Sequence, residues 1–301
     1  MTSKLAPGET FTLAAMLPWS RTKTAVATVH QIDQSGVGSM WRRPLYRAIE
    51  LRALRAHARV IAVSSGLREE VLRATGLAPD VVQRVPASAP LLLEPPRLIV
   101  PPDDPPRVVV VARFSREKGI DVLLDAWADP RLAAQAVVLH IVGDGPERAD
   151  LESRARALGS RVVFRGWRTD SLAEIAGARA YVAPSRVETF GIAVLEAMAL
   201  GVPVVATDVA GHRDLFGEEF AGDLVVTEQP GALADALVAF LARPAAERAE
   251  LGKKLQRRAH SEFGPRRMAE GTARVYAEAR ASVRAVEALP QNAAEDGPQT
   301  G

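Results

Sequence analysis

Short apolar segments alternate with helical patterns along residues 107–280, and this alternation restricts the possible folds more than any other feature. The apolar segments predict buried strands at residues 108–112, 137–142, 162–164, 180–183, 202–207 and 224–226. Helices are predicted at residues 120–127, 147–158, 171–176, 192–200, 230–241 and 245–280. Strands that alternate with helices form a parallel, doubly wound sheet, which binds ligands beyond the carboxyl ends of its strands. We therefore expect binding residues directly after the predicted strands.

The residues before this region predict a smaller α/β domain and a linker. Strands are predicted at residues 25–29, 60–63 and 81–85, and helices at 41–58 and 67–75. A proline-dense segment without regular periodicity follows them. These patterns divide the chain into a shortened N-terminal domain, a linker, a C-terminal domain and a disordered tail, at residues 1–90, 91–106, 107–280 and 281–301.

The composition excludes several classes of function. The sequence contains no cysteine, which excludes disulfides, thiolate metal sites and a thiol nucleophile. Its formal net charge of +2 is too small to indicate binding to nucleic acid. No apolar run reaches the length of about 18 residues that a membrane-spanning helix requires, and the N-terminal residues do not resemble a signal peptide. We therefore expect a cytoplasmic protein.

Two carboxylates bracket a predicted helix start in the segment 184–203. Glu188 lies in the loop after a predicted strand, and Glu196 lies inside the following helix, which is otherwise apolar. Free backbone N–H groups at residues 190–192 provide an anion site, because the first amides of a helix have no partner within it. An unpaired buried carboxylate is unfavourable, so Glu196 requires a functional reason. An anion flanked by hydroxyl groups, as in a sugar nucleotide, fits this arrangement.

Two cations follow the first strand of the same domain. Arg113 and Lys118 lie in the loop after residues 108–112. Together with the helix start at Phe190 and Gly191, they can neutralise a diphosphate and stabilise it as a leaving group without a divalent metal. The sequence shows no Asp-x-Asp pair of the kind that holds a metal on a nucleotide sugar. The alternative is that both cations are ordinary surface charges of a βα loop.

Three motifs in this order resemble family 4 retaining glycosyltransferases of the GT-B fold. They are the segment from Arg113 to Gly119, the segment from Gly143 to Pro146, and Glu188-Thr189-Phe190-Gly191-Ile192 followed by Glu196. The resemblance is strong over residues 107–280 and weaker over 25–85. It implies a GT-B-like α/β fold of two Rossmann-like domains that face a cleft. The N-terminal domain is expected to be incomplete, because only 29 residues precede His30.

The resemblance also implies a role for each matching residue. Arg113 and Lys118 are expected to bind the donor diphosphate, Glu188 to hold hydroxyls of the donor sugar, and Glu196 to bind the ribose. His30 is expected to face the transferred sugar, with a packing role as the alternative. The predicted catalytic residues are His30, Arg113, Lys118 and Glu188. The other residues expected to contact the donor are Gly143, Thr189, Phe190, Gly191, Ile192 and, beside the nucleobase, Trp167 and Arg168. For Trp167, ordinary packing is the alternative.

The predicted function is retaining, metal-independent transfer of a hexose from a nucleotide-diphosphate sugar to a hydroxyl of a sugar, lipid or small-molecule acceptor. No cofactor and no metal site are predicted, since the nucleotide sugar is itself the substrate. The alternative is a non-catalytic or half-enzyme protein that binds the nucleotide sugar and needs a separate acceptor-domain subunit. A pyridoxal-type phosphorylase is disfavoured, because the second domain offers no convincing lysine for a Schiff base.

Arginines flank the apolar face of the predicted helix 41–58, and two explanations for them remain open. The arginines are Arg42, Arg43, Arg47, Arg52, Arg55 and Arg59. A solvated helix face explains them without any ligand. Peripheral contact with anionic lipid at the inner membrane face is the alternative, because a basic amphipathic helix suits a membrane surface.

Overall fold

The computed structural model describes residues 25–32, 43–98 and 105–287 of the 301-residue chain. The described strands are β1 Val26–Val29, β2 Arg59–Ala62, β3 Val82–Arg84, β4 Arg107–Val111, β5 Val138–Val142, β6 Val162–Gly166, β7 Ala180–Ala183 and β8 Val204–Ala206. The described helices are α1 Arg43–Arg55, α2 Ser65–Thr75, α3 Ile120–Trp127, α4 Pro130–Ala133, α5 Arg148–Ala155, α6 Ser171–Ala176, α7 Ile192–Ala199, α8 Ala210–Phe220, α9 Pro230–Ala242, α10 Ala245–Phe263 and α11 Pro265–Glu287.

Two parallel sheets organise these elements, so the predicted α/β architecture is confirmed. The first sheet has the strand order β1-β2-β3, and the second has the order β6-β5-β4-β7-β8. Every described strand pair is parallel. In the second sheet the chain builds outwards from β4 to one side and then from β7 to the other. Such a switch point opens a crevice between the loops that leave the two central strands.

The described residues pack into two compact units. Within the described ranges, the first unit comprises residues up to 63, residues 67–85 and residues from 269 onwards, and the second comprises residues 64–66 and 86–268. The first unit contains the three-stranded sheet and most of α11. Val275 of α11 is buried there against Ile61 and Val85. Arg59 of β2 also donates a hydrogen bond of 2.8 Å to the Ser282 hydroxyl.

The core of the second unit forms where helices α3, α5 and α9 pack on the central strands. The side chains of β4 and β5 that enter this core are valine, leucine and isoleucine, as expected for strands inside a parallel sheet. Leu123, Trp127 and Phe240 from the helices complete the cluster. The core therefore fixes β4 and β5, whose loops carry several predicted binding residues.

Some predicted elements differ from those observed. Residues 224–226 do not form a strand, since only Val225 makes an isolated bridge, to Thr207. The helix predicted at 147–158 ends at Ala155 and continues as a 3-10 turn, because Gly159 leaves the helical conformation with φ 57° and ψ −139°. The sequence pattern does not predict α8, whose apolar periodicity is interrupted by two glycines.

The C-terminal end of the chain differs from its predicted boundary. Helix α11 continues to Glu287, so residues 281–287 are helical rather than part of a disordered tail. The predicted disorder of residues 288–301 lies outside the described residues. The described part of the linker contains a 3-10 turn, Pro90–Leu92, and no strand. None of the helices that the structure describes is long and apolar enough to span a bilayer.

Candidate functional site

The predicted donor-binding residues of the second unit lie at the carboxyl edge of its sheet. Arg113 and Lys118 follow β4, Gly143 follows β5, Trp167 and Arg168 follow β6, and the segment from Glu188 to Ile192 follows β7. Because β4 and β7 are neighbours, two of these loops meet. Lys118 Nζ lies 2.7 Å from Glu188 Oε2, with both side chains about three-quarters or more buried.

Backbone contacts hold these two loops against each other. The carbonyl of Glu117 accepts hydrogen bonds from the amides of Arg186 and Val187, at 2.8 and 3.3 Å. Gly119 adopts a φ of 64°, and a Cβ atom there would lie 2.1 Å from the carbonyl oxygen of Pro184. Only glycine permits both this conformation and this approach. The distance between the cation and the carboxylate is thus set by the backbone as well as by the side chains.

Arg113 provides a second cation in the β4 loop. Its side chain is exposed and forms no ion pair with any residue in the described ranges. The β4 loop is pressed against the β5 loop, where a Cβ atom on Gly143 would lie 1.9 Å from the carbonyl oxygen of Ala112. Phe114 is fully buried beside it and donates its amide to the carbonyl of Asp144, at 2.9 Å. Arg113 therefore projects an uncompensated charge from a fixed backbone.

The start of α7 supplies backbone donors. Phe190 is buried, and its ring packs edge-on against Phe263 with a centroid separation of 5.8 Å. The carbonyl of Glu188 accepts a hydrogen bond of 2.9 Å from the amide of Gly211. With the segment held in this way, the amides of Phe190 and Gly191 donate to no backbone carbonyl of the described residues. Free amides at a helix N-terminus form an anion site.

Glu196 lies in the second turn of α7 and is only partly exposed. Burial raises the pKa of its carboxyl from 4.5 to about 7. No cation among the described residues pairs with it. An uncompensated carboxylate on an otherwise apolar helix destabilises the unliganded protein. A ligand that donates hydroxyl hydrogen bonds would satisfy it, as the sequence pattern predicts.

Sequence reasoning missed His212, which lies in the first turn of α8. It is fully buried, and its Nδ1 lies 2.8 Å from the carbonyl oxygen of Thr207. A carbonyl only accepts, so Nδ1 carries the proton, and Nε2 is left buried without a described partner. Burial lowers the pKa of His212, which keeps the ring neutral. Its position directly after Gly211, beyond a predicted strand, was the available signal.

Trp167 and Arg168 follow the edge strand β6. Trp167 is 72% exposed, whereas Arg168 is engaged by Asp170 through two hydrogen bonds of 2.8 and 2.7 Å. Most of the Trp167 ring is therefore left uncovered by the residues that the structure describes. An exposed ring at the ligand-binding edge of a sheet can stack on a planar base.

A buried carboxylate, Glu174 of α6, fixes the segment that carries Trp167. Sequence reasoning missed it. Glu174 accepts a hydrogen bond of 3.0 Å from Arg165 and lies 3.2 Å from His140 Nδ1. Burial opposes its ionisation, but the hydrogen bonds from His140 and Arg165 outweigh burial and lower its pKa. Arg165 lies two residues before Trp167, so its ion pair with Glu174 anchors the segment that carries Trp167.

The remaining predicted residues lie apart from these contacts. Thr189 is half-buried and Ile192 is exposed, next to the free amides of α7. His30 directly follows β1 in the first unit and is exposed. Its role therefore stays a prediction. The described residues contain no group of three or more His, Asp or Glu side chains arranged to hold a metal ion.

Comparison with known proteins agrees with this geometry. The family model described as Glycosyl transferases group 1 matches residues 105–243. The chain carries a glycosyl transferases group 1 domain. This domain holds every predicted donor residue of the second unit, from Arg113 to Glu196. The predicted relationship to glycosyltransferases is therefore confirmed.

Two curated relatives and one solved structure illustrate the similarity. A phosphatidyl-myo-inositol mannosyltransferase of Mycobacterium leprae (strain TN) is 39% identical over 159 residues, covering 52% of this chain and 41% of the relative. A 2-deoxystreptamine glucosyltransferase of Streptomyces kanamyceticus is 30% identical over 233 residues, covering 75% and 60%. The structure of sucrose-phosphate synthase from Thermosynechococcus elongatus superposes with a TM-score of 0.71 at 28% identity, covering 85% of this chain and 68% of that one.

These comparisons confirm the α/β fold of GT-B type. The chain nevertheless spans only about half the length of the curated relatives that it matches. The family model matches the part of the chain that carries Arg113, Lys118 and Glu188.

Proposed function

We propose that this protein transfers a hexose from a nucleotide-diphosphate sugar to an acceptor hydroxyl, with retention of configuration and without a metal ion. The observation that carries the proposal is the 2.7 Å contact between Lys118 and Glu188. At the same edge of the sheet lie Arg113, which forms no ion pair with the described residues, and the free amides at the start of α7. Cations, amides and a carboxylate at one sheet edge match a ligand whose charged diphosphate is flanked by hydroxyls.

The diphosphate binds to Arg113, Lys118 and the amides of Phe190 and Gly191. The backbone of the loops that carry these groups is held by hydrogen bonds and by close contacts at glycines, so it needs little rearrangement when the ligand binds. Preorganised donors stabilise the charge that develops on a leaving diphosphate. Two cations and a helix N-terminus thus take the place that a divalent metal occupies in other transferases.

The flanking hydroxyls bind to the two carboxylates. Glu188 accepts hydrogen bonds from hydroxyls of the hexose, and Glu196 accepts them from the ribose. Lys118 then exchanges part of its contact with Glu188 for the diphosphate, since an ammonium group has three donors. Trp167 and Arg168 border the nucleobase at the far end of the site. Charged partners for hydroxyls give strong hydrogen bonds and reject ligands that lack them.

Transfer proceeds on one face of the sugar. The acceptor oxygen attacks the anomeric carbon from the side on which the diphosphate leaves. The bond between the anomeric carbon and the phosphate oxygen breaks, and the acceptor hydroxyl gives its proton to the departing phosphate oxygen. The part of His30 in this step stays a prediction from the sequence. The products are the glycosylated acceptor, with unchanged anomeric configuration, and the nucleoside diphosphate.

The proposal is tested by measuring the release of nucleoside diphosphate from UDP-, GDP- and ADP-hexoses. The assay is run with and without a panel of acceptors: sugars, glycolipids and small alcohols. Arg113→Ala, Lys118→Ala and Glu188→Ala are each expected to lower turnover by about 100-fold or more. Arg131→Ala, in an exposed ion pair after α3, is the matched control and keeps its activity. Wild-type turnover in all three site variants contradicts the proposal.

Two further readouts address the finer parts of the proposal. NMR of the product is expected to show the anomeric configuration of the donor, and inversion refutes the same-face mechanism. Turnover in excess EDTA is expected to equal that in added Mg²⁺. A loss of activity with EDTA that Mg²⁺ restores refutes metal independence.

A further inference from the structure

The side chain of Arg186 joins several elements at the carboxyl edge of the second unit. Its Nη1 and Nη2 donate to both carboxylate oxygens of Asp121, at 2.7 and 2.8 Å. The same Nη1 donates to the backbone carbonyl of Arg116, at 2.8 Å, and Nε donates to Glu228, at 2.8 Å. The guanidinium is therefore bonded in three directions, with only 16% of the side chain exposed.

The location of these contacts distinguishes them from an ordinary surface ion pair. Arg186 lies two residues before Glu188, in the loop after β7. Arg116 lies two residues before Lys118, in a 3-10 turn of the loop after β4. Asp121 lies in the first turn of α3, the helix that follows this 3-10 turn. One side chain thus connects the loop that carries the carboxylate to the loop that carries the cation.

We propose that Arg186 is a positioning residue that sets the geometry of the Lys118–Glu188 pair and thereby the affinity for the donor. The inference rests on the proposed function, since it assigns Arg186 a part in the same site. Arg186 itself contacts neither of the two side chains and acts through the backbone of both loops.

Arginine is required for this role because of the shape of its donor set. A guanidinium offers five N–H groups in a rigid plane, so it can bind a carboxylate with two bonds and still reach a carbonyl. A lysine at the same position can replace one or two of these bonds but not the planar pair. The ion pair with Arg186 also lowers the pKa of Asp121, so the pair stays charged at neutral pH.

The chain offers a matched control of the same chemistry. Arg131 binds both oxygens of Asp129, at 3.0 and 2.7 Å, and reaches Asp235 at 2.7 Å. This second bidentate arginine lies in α4, just before β5 begins, at the amino edge of the sheet. The Arg131 side chain is 54% exposed, against 16% for Arg186, so Arg131 matches the donor geometry of Arg186 but not its burial.

Hydrogen exchange of the unliganded protein gives the first test. Arg186→Gln is expected to speed amide exchange in both residues 115–119 and 184–190, whereas Arg131→Gln leaves both segments unchanged. Arg186→Lys is expected to lie between wild type and Arg186→Gln. Uniform acceleration across the second unit, or acceleration in only one loop, overturns the inference. This readout needs no ligand, so it stands even if the protein proves not to bind nucleotide sugars.

A double-mutant cycle gives the second test, with UDP-glucose and GDP-mannose as probes in calorimetry. Arg186→Gln is expected to weaken binding of the recognised probe by about tenfold or more. In a Glu188→Gln background, Arg186→Gln is expected to weaken binding by less than about threefold. The effect is smaller because both substitutions disturb the same Lys118–Glu188 contact. Equal effects in both backgrounds refute the positioning role. Failure of wild type to bind either probe, or any other hexose nucleotide, counts against the proposed function instead.

Discussion

The substitution Glu196→Gln is expected to stabilise the protein at alkaline pH. Burial raises the pKa of this carboxyl from 4.5 to about 7. Between these values the folded chain retains a proton that the unfolded chain has lost, so the free energy of unfolding falls as the pH rises. At about 1.4 kcal/mol per pKa unit, the penalty grows from near zero at pH 4 to about 3 kcal/mol at pH 8.

Glutamine has the same shape as glutamate and no charge, so the variant avoids this penalty. We expect equal stability of wild type and Glu196→Gln near pH 4, and a variant more stable by up to about 3 kcal/mol at pH 8. Urea unfolding followed by tryptophan fluorescence between pH 4 and 8 measures this difference. Trp127, fully buried in the core of the same unit, serves as a reporter.

An exposed carboxyl of the same unit provides the control. Glu218→Gln replaces an exposed carboxyl of the same unit and is expected to show no pH-dependent difference from wild type. A difference between Glu196→Gln and wild type that is constant from pH 5 to 8 refutes the reasoning. So does a variant that is less stable at pH 8. The expected gain in stability should come with weaker donor binding, as for a carboxylate retained for its ligand.

The other predictions concern the loops, the exposed ring and the basic helix. Gly119→Ala is expected to lower the free energy of unfolding by about 1–3 kcal/mol and to weaken donor binding, because a Cβ atom there would lie 2.1 Å from the carbonyl oxygen of Pro184. Unchanged urea unfolding contradicts this prediction. Trp167→Ala is expected to leave unfolding unchanged and to weaken calorimetric binding of the nucleoside diphosphate by about 1–3 kcal/mol, because the ring is exposed; undiminished affinity excludes a base contact. If the exposed Arg47 and Arg52 of α1 contact lipid, the protein is expected to sediment with anionic but not with neutral vesicles at low salt. Reversing both charges is expected to abolish this sedimentation, and equal binding to both vesicle types refutes the lipid contact.

Much of the candidate donor site could be predicted because its residues lie in the loops that follow strands. Lys118 and Glu188 each follow an apolar segment with an unambiguous strand pattern, and the carboxyl ends of parallel strands share one edge. The strand directions therefore place both residues at this edge, whereas their contact also requires that β4 and β7 be neighbours. Glu196 could be predicted for another reason, since a lone carboxylate on an apolar helix conflicts with its local pattern.

The residues that sequence reasoning missed depend on partners that are distant in the chain. Arg186 binds Asp121 across 65 residues, and Glu174 meets His140 across 34 residues. Both contacts depend on which strands are neighbours, and short apolar strands do not encode their order. His212 was missed because the feature that marks it, a buried ring nitrogen without a described hydrogen-bond partner, can be seen only in the packed structure.

The charge arrangement of the site explains why it can stay folded without its ligand. Lys118 compensates Glu188 directly, and Asp121 and Glu228 compensate Arg186, so most charges at this edge are paired before any donor binds. Among the predicted donor-binding residues that the structure describes, the charged side chains without an ion pair are Glu196, which is partly buried, and Arg113, which is exposed. Water screens Arg113 at little cost, whereas Glu196 can shed its charge by binding a proton near neutral pH. The unpaired groups are therefore the ones whose charge the fold can tolerate, and they are also the ones that a diphosphate and a ribose would satisfy.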